Sequence, residues 1–448
     1  MKQAAPSTRR GFLSRAASAL GAAAAAPWIV PATSLGAEGR PAPSDRIAMG
    51  AIGIGGQGTR DMQAFLGMTD VQMAALCDVD AGSTRYERGW RRGLAPARET
   101  VEQHYAAQKR DGTFKGVFTT PDFRELLARA DIDAITTACP DHWHGLIVVA
   151  AAQAGKDIYC QKPLSLTIAH GRAMADAVRR YGRVFQVGSQ RRSSGHCRRS
   201  CELVRNGRIG KLHTIHVGLP GGHSNPGYTM DESPQPVPEG FDYDRWLGPA
   251  PWAPYTHKRC HWTFRWNLDY SGGQLTDWGA HYIDMAHWGM GTELTGPVEV
   301  EGKGEFPRDT VLWNTATSFR VECLYANGMK MIVESTGGGV RFEGTEGTVW
   351  LEGGTQPAAI AQSEIGPNEI HLYESNSQYG NFIECVKSRQ PTAAPVEVAH
   401  RSITPAHLGN ISMLLGRKLK WDPDKEAIVG DAEANRMLSR PHREPWTI

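Results

Sequence analysis

Apolar runs alternate with helically spaced apolar positions along the first half of the chain. Ile47-Ala48-Met49-Gly50-Ala51-Ile52 reads as a short buried strand, and Met62, Phe65 and Leu66 then recur at helical spacing. Val71 to Cys77 is a second strand. The same pattern predicts a helix over Asp122 to Ala130, a strand over Ala134 to Ala138, a helix over Leu146 to Ala154 and a strand over Ile158 to Cys160. A helix over Ala169 to Tyr181 and a strand over Val184 to Val187 complete the series. Repeated strand and helix units of this kind build a doubly wound parallel sheet. Residues 81–115, with Trp90, Arg91 and Arg92, read as a helical insertion. From about 190 the pattern changes to successive strands near Leu212 to Val217, Val298 to Gly302, Ala316 to Cys323, Met329 to Glu334, Val340 to Glu343 and Thr348 to Leu351. Adjacent strands without intervening helices predict an antiparallel or mixed sheet. Between them Pro220 to Pro254 is rich in Pro and Gly and too long for a simple connection, so it is expected to be a binding loop.

Composition narrows the class. The 448 residues are 40% hydrophobic and 21% charged, with a mean hydropathy of −0.40, which excludes a polytopic membrane protein and a disordered chain. The formal charge is +2, and four basic residues, Lys2, Arg9, Arg10 and Arg15, precede the first acid, Glu38; the remainder carries about −2 and offers no basic footprint for nucleic acid. Ser7-Thr8-Arg9-Arg10-Gly11-Phe12-Leu13 followed by the alanine-rich run Ala16 to Ala26 resembles a twin-arginine export signal. The run is too short for a membrane span, which needs about 20 residues. The expected location is periplasmic or otherwise extracytoplasmic, with cleavage between Ala32 and Ala37; without cleavage the protein would stay tethered to the membrane. The export machinery is the implied partner.

The candidate chemistry sits where apolar runs end. Gly53-Ile54-Gly55-Gly56-Gln57-Gly58 follows the first strand directly and satisfies G-x-G-x-x-G, with a helix after it. Glycines there let the backbone approach a pyrophosphate at a helix N-terminus, as in the Rossmann fold. Asp78 ends the second strand about 20 residues on, where a carboxylate accepts hydrogen bonds from ribose hydroxyls and repels a 2′-phosphate. NAD is therefore expected over NADP, with nearby Arg85 as the group that could soften the preference. The eight cysteines include no C-x-x-C pair, so neither a disulfide framework nor a metal site is expected, Cys197, Cys201, Cys260 and His261 included. Gln161-Lys162-Pro163 follows the strand ending at Cys160, which places Lys162 at the cofactor crevice. In Gly272 to Asp284, Asp277 and His281 are four apart and share a helix face; an imidazole there takes a proton near neutral pH, and a carboxylate beside it fixes the ring or holds a substrate hydroxyl.

These ordered motifs resemble the glucose-fructose oxidoreductase, inositol dehydrogenase and rhizopine-catabolism (Gfo/Idh/MocA) family over about 45–448, and its exported, tryptophan-rich subgroup in particular. The resemblance implies a Rossmann domain followed by an α/β domain with a large open sheet, here 45–188 and 189–448, the latter with C-terminal helices and a tail, after a signal segment at 1–37. It implies catalysis by Lys162, Asp277 and His281. It places Gly53, Gly55, Gly56, Gln57, Gly58, Asp78, Lys162 and, from Pro140-Asp141-His142-Trp143-His144, which is similar to the family's P-N-x-x-H turn, Pro140 and His144 at the cofactor. Gln190 and Arg191 in Gly188-Ser189-Gln190-Arg191-Arg192, together with Arg265 and Trp266 in Phe264-Arg265-Trp266, are the implied substrate contacts beside Asp277 and His281. Gln161 departs from the family's usual glutamate. Tryptophans such as those of Trp246-Leu247-Gly248-Pro249-Ala250-Pro251-Trp252 suit stacking on sugar rings or a core equally.

The expected function is NAD-dependent hydride transfer on a sugar, polyol or glycoside, with a tightly retained cofactor. His281 would take the hydroxyl proton, Lys162 would stabilise the alkoxide and Asp277 would position the hydroxyl or the imidazole. Two alternatives share the pocket: redox-neutral glycoside cleavage by oxidation, elimination, hydration and reduction, and sugar binding without catalysis. A homo-oligomer is implied by the resemblance only.

Overall fold

The structure is a computed structural model that describes residues 45–86, 89–222, 233–307 and 312–448. The twin-arginine run and the middle of the Pro220 to Pro254 segment lie outside the described residues. The chain from Ile47 alternates β1 (Ile47–Ile52), α1 (Gly56–Leu66), β2 (Val71–Cys77), α2 (Leu94–Ala106), β3 (Phe118–Thr120), α3 (Phe123–Leu127), β4 (Ala134–Thr137), α4 (Asp141–Gln153), β5 (Asp157–Cys160), α5 (Ile168–Arg180) and β6 (Phe185–Val187). Among the described residues the six strands pair in the order β3-β2-β1-β4-β5-β6, parallel throughout. Strand order reverses between β1 and β4, and ligands of such sheets bind at the strand C-termini beside that reversal.

Local chemistry sets the helix starts. The Asp122 side chain accepts the Arg124 N–H at 3.0 Å and opens α3, and Thr167 accepts the His170 N–H at 3.2 Å and opens α5. Helix α4 begins at Asp141, five residues before the position its apolar spacing suggests. Pro140 fixes an extended backbone just ahead of it, and His142, Trp143 and His144 are all buried, so the first turn carries no polar and apolar alternation to read.

The second half opens with α6 (Gly195–Arg205), β7 (Leu212–Gly218), α7 (Tyr243–Leu247), α8 (Gln274–Asp277) and α9 (Gly279–Met290). Then come β8 (Glu299–Glu305), β9 (Ser318–Leu324), β10 (Lys330–Glu334), β11 (Gly339–Gly344), β12 (Thr348–Trp350) and β13 (Thr355–Gln356). The chain ends in α10 (Gln378–Ser388), α11 (Val396–Leu415), β14 (Leu419–Asp422), β15 (Ala427–Ile428) and α12 (Ala432–Arg436). Among the described residues nine strands form one sheet in the order β13-β12-β11-β7-β10-β9-β8-β14-β15. It is mixed, because β7 and β10 run parallel and the other pairs antiparallel. Phe319, Val321 and Cys323 of β9 point into the core while Arg320 and Glu322 point away, the alternation of a sheet covered on one face. That cover includes α9, buried along its whole length, and α11.

Two returns tie the second half to the first sheet. Helix α10 contributes Phe382, Ile383, Cys385 and Val386 to the core around Phe65, Met62 and Tyr159, with the Phe65 and Phe382 rings 5.9 Å apart. The segment after residue 233 forms a small aromatic core of its own from Phe241, Tyr243, Trp246, Tyr255, Phe264 and Tyr270. It is stitched to the end of β2 by the Asp242 N–H to Val79 O (2.9 Å) and Ala81 N–H to Gly240 O (2.8 Å) bonds. The expected binding loop is thus in part a packed cover.

Candidate active site

A cavity of about 540 Å³ runs along the C-terminal ends of β1, β2, β4 and β5 and on to α8 and α9. Its floor is the glycine turn. Gly53 has a φ of +76°, and a side chain there would strike Cys139. A Cβ on Gly58 would lie 1.8 Å from the Gly53 carbonyl oxygen, so α1 approaches β1 only because that residue is glycine. A Cβ on Gly56 would meet nothing within 4 Å, which leaves the first turn of α1 open to the cavity. Gln57 and Arg60 line the same end.

Asp78 is buried at the end of β2 and accepts the Ile54 N–H at 2.5 Å and the Asp80 N–H at 2.8 Å. Burial pushes its carboxyl up to about 7 against the pull of those backbone donors. Each oxygen has one lone pair taken by backbone, and the carboxyl lines the cavity, so ribose hydroxyls have acceptors left. An open helix N-terminus at Gly56, a tight glycine turn and this carboxyl together fit a dinucleotide. Arg85, the one group expected to soften the choice of NAD, is held by Asp80 at 3.1 Å with its guanidinium over the Phe241 ring.

At the other end Lys162 Nζ donates to Asp277 Oδ1 at 2.7 Å and to the Asp277 carbonyl at 3.3 Å. Arg265 Nε lies 3.4 Å from the same Oδ1. Burial pushes the Asp277 carboxyl up, but the Lys162 and Arg265 charges outweigh it and hold the group well below the usual carboxylate range. His281 is buried at the cavity wall, and burial with the Lys162 charge holds its ring well below the usual histidine range, so it is neutral. Its Nδ1 has no hydrogen-bond partner among the described residues. The four-residue spacing does bring Asp277 and His281 to one cavity, although the helix breaks at Trp278 and the Asp277 hydrogen bond goes to Lys162.

Gln190 and Arg191 line the cavity, with Arg191 donating to the Tyr282 hydroxyl at 2.9 Å and to Glu352 at 2.8 Å. Arg265 lines it too, stacked 4.3 Å from the exposed Trp262 ring. Trp266 does not reach it and is buried with Leu312 and Trp313 instead. In the Thr263–Trp266 3₁₀ turn Phe264 and Arg265 face the cavity, while Trp266 turns to the side where Leu312 and Trp313 bury it. Pro140 lines the cavity, whereas His144 lies behind it, its ring nitrogens 2.8 Å from the Pro163 carbonyl and 2.9 Å from the Cys139 carbonyl. It braces the loops after β4 and β5 and would act on a cofactor only through them.

Several cavity residues carry no role from the sequence. Gln161 donates its amide to Asp61 Oδ2 at 2.9 Å, and the same buried carboxyl accepts from Gln57 (2.8 Å) and the Tyr379 hydroxyl (2.7 Å). A glutamate at 161 would set two carboxylates against each other, so the departure at Gln161 follows from the acid on α1. The four-residue spacing of Gln57 and Asp61 is the sequence signal for it. Asp141 lines the cavity and accepts from the Ser271 hydroxyl at 2.6 Å. Phe241, Arg245, Trp246 and Trp446 line the cavity as well. Among the described residues no cluster of three or more His, Cys, Asp or Glu is arranged to hold a metal.

Residues 47–189 match the model of the oxidoreductase family with NAD-binding Rossmann fold, and residues 201–448 match that of the oxidoreductase family C-terminal alpha/beta domain. The oxidoreductase YrbE of Bacillus subtilis is 27% identical over 259 residues, 58% of this chain and 57% of its own. The myo-inositol 2-dehydrogenase of Thermotoga maritima is 24% identical over 326 residues, 69% of this chain and 82% of its own. Among solved structures, the aldose-aldose oxidoreductase of Caulobacter crescentus complexed with glycerol is similar at a TM-score of 0.56 and 18% identity, covering 84% of this chain and 99% of its own; that likeness is one of fold.

Proposed function

The chain belongs to the Gfo/Idh/MocA oxidoreductase family and carries its NAD-binding Rossmann domain, and from that premise we propose that it oxidises and reduces a carbinol carbon of a sugar, polyol or glycoside. The observation that carries the reading is the Lys162 to Asp277 ion pair at 2.7 Å beside an unclaimed imidazole, His281, in the cavity that begins at the glycine turn. Relatives named as inositol and levoglucosan dehydrogenases support the substrate class. NAD, held by the open first turn of α1 and by Asp78, supplies the two-electron acceptor and donor. Lys162 stabilises the developing alkoxide, and Asp277, ionised by its two cations, keeps that ammonium in place. The neutral His281 takes the hydroxyl proton. Gln190, Arg191 and Arg265 hold the remaining polar groups, with the exposed face of Trp262 as a stacking surface for a ring.

The reading includes a retained cofactor and export by the twin-arginine route, which place the protein outside the inner membrane, where free dinucleotide is scarce. The aromatic lining from Phe241, Trp246 and Trp446 supports retention. Pairing of two copies is proposed from the resemblance alone, and light scattering tests it. For the chemistry, Lys162→Ala and His281→Ala should each lower turnover by at least about 100-fold. The His281→Ala protein should still purify with its dinucleotide. Near-normal turnover in both variants on an identified substrate would refute the assignment.

A further inference from the structure

Residues 437–448, after α12, form neither helix nor strand, and single contacts hold them across the molecule. The Ala169 N–H of α5 donates to the Leu438 carbonyl at 3.0 Å, and Arg440 donates to the Leu268 carbonyl ahead of α8. Arg443 reaches the cover, donating to the Gly248 carbonyl at 3.0 Å and to Asp244 at 2.6 Å. Trp446 lies against the Trp143 and Phe123 rings and lines the cavity, and Ile448 ends over α4, where a side chain on Gly145 would strike it. In the middle of this strap Nε2 of His442 lies 2.8 Å from Nε2 of His170, which is buried in the first turn of α5.

Two imidazoles that meet nitrogen to nitrogen share one hydrogen, so one ring donates and the other must keep its lone pair. A second proton sets two N–H groups against each other and ends the bond. The surroundings offer no acid to take up the added charge. The titratable neighbours are His142 of α4, His400 and His407 of α11, and Arg440 of the strap itself. Glu426 is already taken by His400 at 2.9 Å and Arg172 at 2.6 Å, and Asp269 acts on Arg440 from beyond ion-pair distance. Among the described residues no carboxylate lies within ion-pair distance of His170, Arg440 or His442. Burial, the facing ring and the Arg440 charge hold His170 down at about 4, and burial holds His442 below the usual histidine range, so the pair is neutral at pH 7.

We propose that residues 437–448 are a strap that the His170–His442 pair latches over the cavity at neutral pH and that acid releases. The effect on the cofactor rests on the reading of this cavity as the dinucleotide site. A docked strap refuses protons that a free one accepts, so the pair holds in full above about 6.5 and weakens as pH falls toward about 4. The Arg443 to Asp244 pair beyond the latch has an exposed carboxylate and adds little hold. When Trp446 leaves Trp143, the part of the cavity wall that it forms opens, and a held dinucleotide escapes faster. In a protein exported as proposed above, the surrounding medium sets that pH.

Full-length wild type, His442→Gln and His442→Glu are compared as purified, between about pH 7.5 and about pH 5. Amide hydrogen exchange, corrected for its intrinsic pH dependence, follows peptides covering residues 437–448 against those of β1 and α1. Dinucleotide release is followed by exchange against a fluorescent NAD analogue. In the wild type, strap exchange should rise at least about 10-fold into the acid range, with release rising in step. A glutamine oxygen accepts from His170 whether that ring is neutral or charged, so His442→Gln should lose most of the rise. His442→Glu sets an acid opposite His170 and raises that ring's hold on a proton, so its strap should be tighter in acid than at neutral pH. Asp78, held at about 7, alters release on its own, and the comparison of three proteins that all carry it removes its share. The same acid response in all three proteins, or none in the wild type, overturns the proposal. So does a strap that loosens in acid while release stays flat. A protein that holds no dinucleotide at any pH refutes the retained cofactor, and strap exchange in the three proteins still decides the latch.

Discussion

The floor and the cover of the cavity are built by different means. The floor is backbone: Gly53 and Gly58 let β1 and α1 close up directly after the strand ends, and Gly56 leaves the first helix turn open. The cover is side chain, assembled from Phe123 after β3, the aromatic core around Trp246, and the C-terminal Trp446. Trp143 joins them, its Nε1 donating to the Trp246 carbonyl, 103 residues away, and its ring meeting those of Phe123 and Trp446, while Arg443 ties the C-terminal part to Asp244 and the Gly248 carbonyl. A backbone floor recognises what all dinucleotides share. The side chains of the cover face what the dinucleotides do not share.

The floor breaks with the largest effect. In Gly58→Val the new Cβ falls 1.8 Å from the Gly53 oxygen, where neither element has room to give. Overpacking of that kind is worth about 1–3 kcal/mol or more of stability. The variant should unfold at a lower temperature by calorimetry and purify with little or no dinucleotide. Wild-type cofactor content in Gly58→Val would mean that the turn is not the floor.

The cover should break more gently. Trp446 packs edge-on to Trp143 at 4.8 Å, lies 6.3 Å from the Phe123 ring and carries the Arg124 guanidinium at 5.0 Å. Trp446→Ala should speed dinucleotide release by roughly 10-fold, equivalent to about 1.4 kcal/mol, as followed by exchange against a fluorescent NAD analogue. An unchanged release rate would reduce the cover to a structural seal.

The same contrast sets what the sequence discloses. The parallel sheet, the glycine turn and Asp78 follow from local spacing, because the residues that make them are near neighbours and their apolar runs are continuous. The meeting of Lys162 with Asp277 joins residues 115 apart, and motif resemblance rather than periodicity pointed to it. The role of Gln161 needed its partner Asp61, 100 residues upstream. Trp266 and His144 belong to motifs near the cavity, yet packing against Leu312 and Trp313 and a pair of carbonyls direct them elsewhere. The cover was illegible because its aromatic residues look the same in sequence whether they form a core or line a site.

The central claim is a retained cofactor that serves carbinol chemistry from within. The most direct measurement denatures the purified protein and identifies and quantifies the dinucleotide released, with its redox state, before and after incubation with glycosides and without added cofactor. The account predicts close to one NAD per chain, partly converted to the reduced form by substrate. A protein that purifies without dinucleotide and turns over only with stoichiometric added NAD would contradict it.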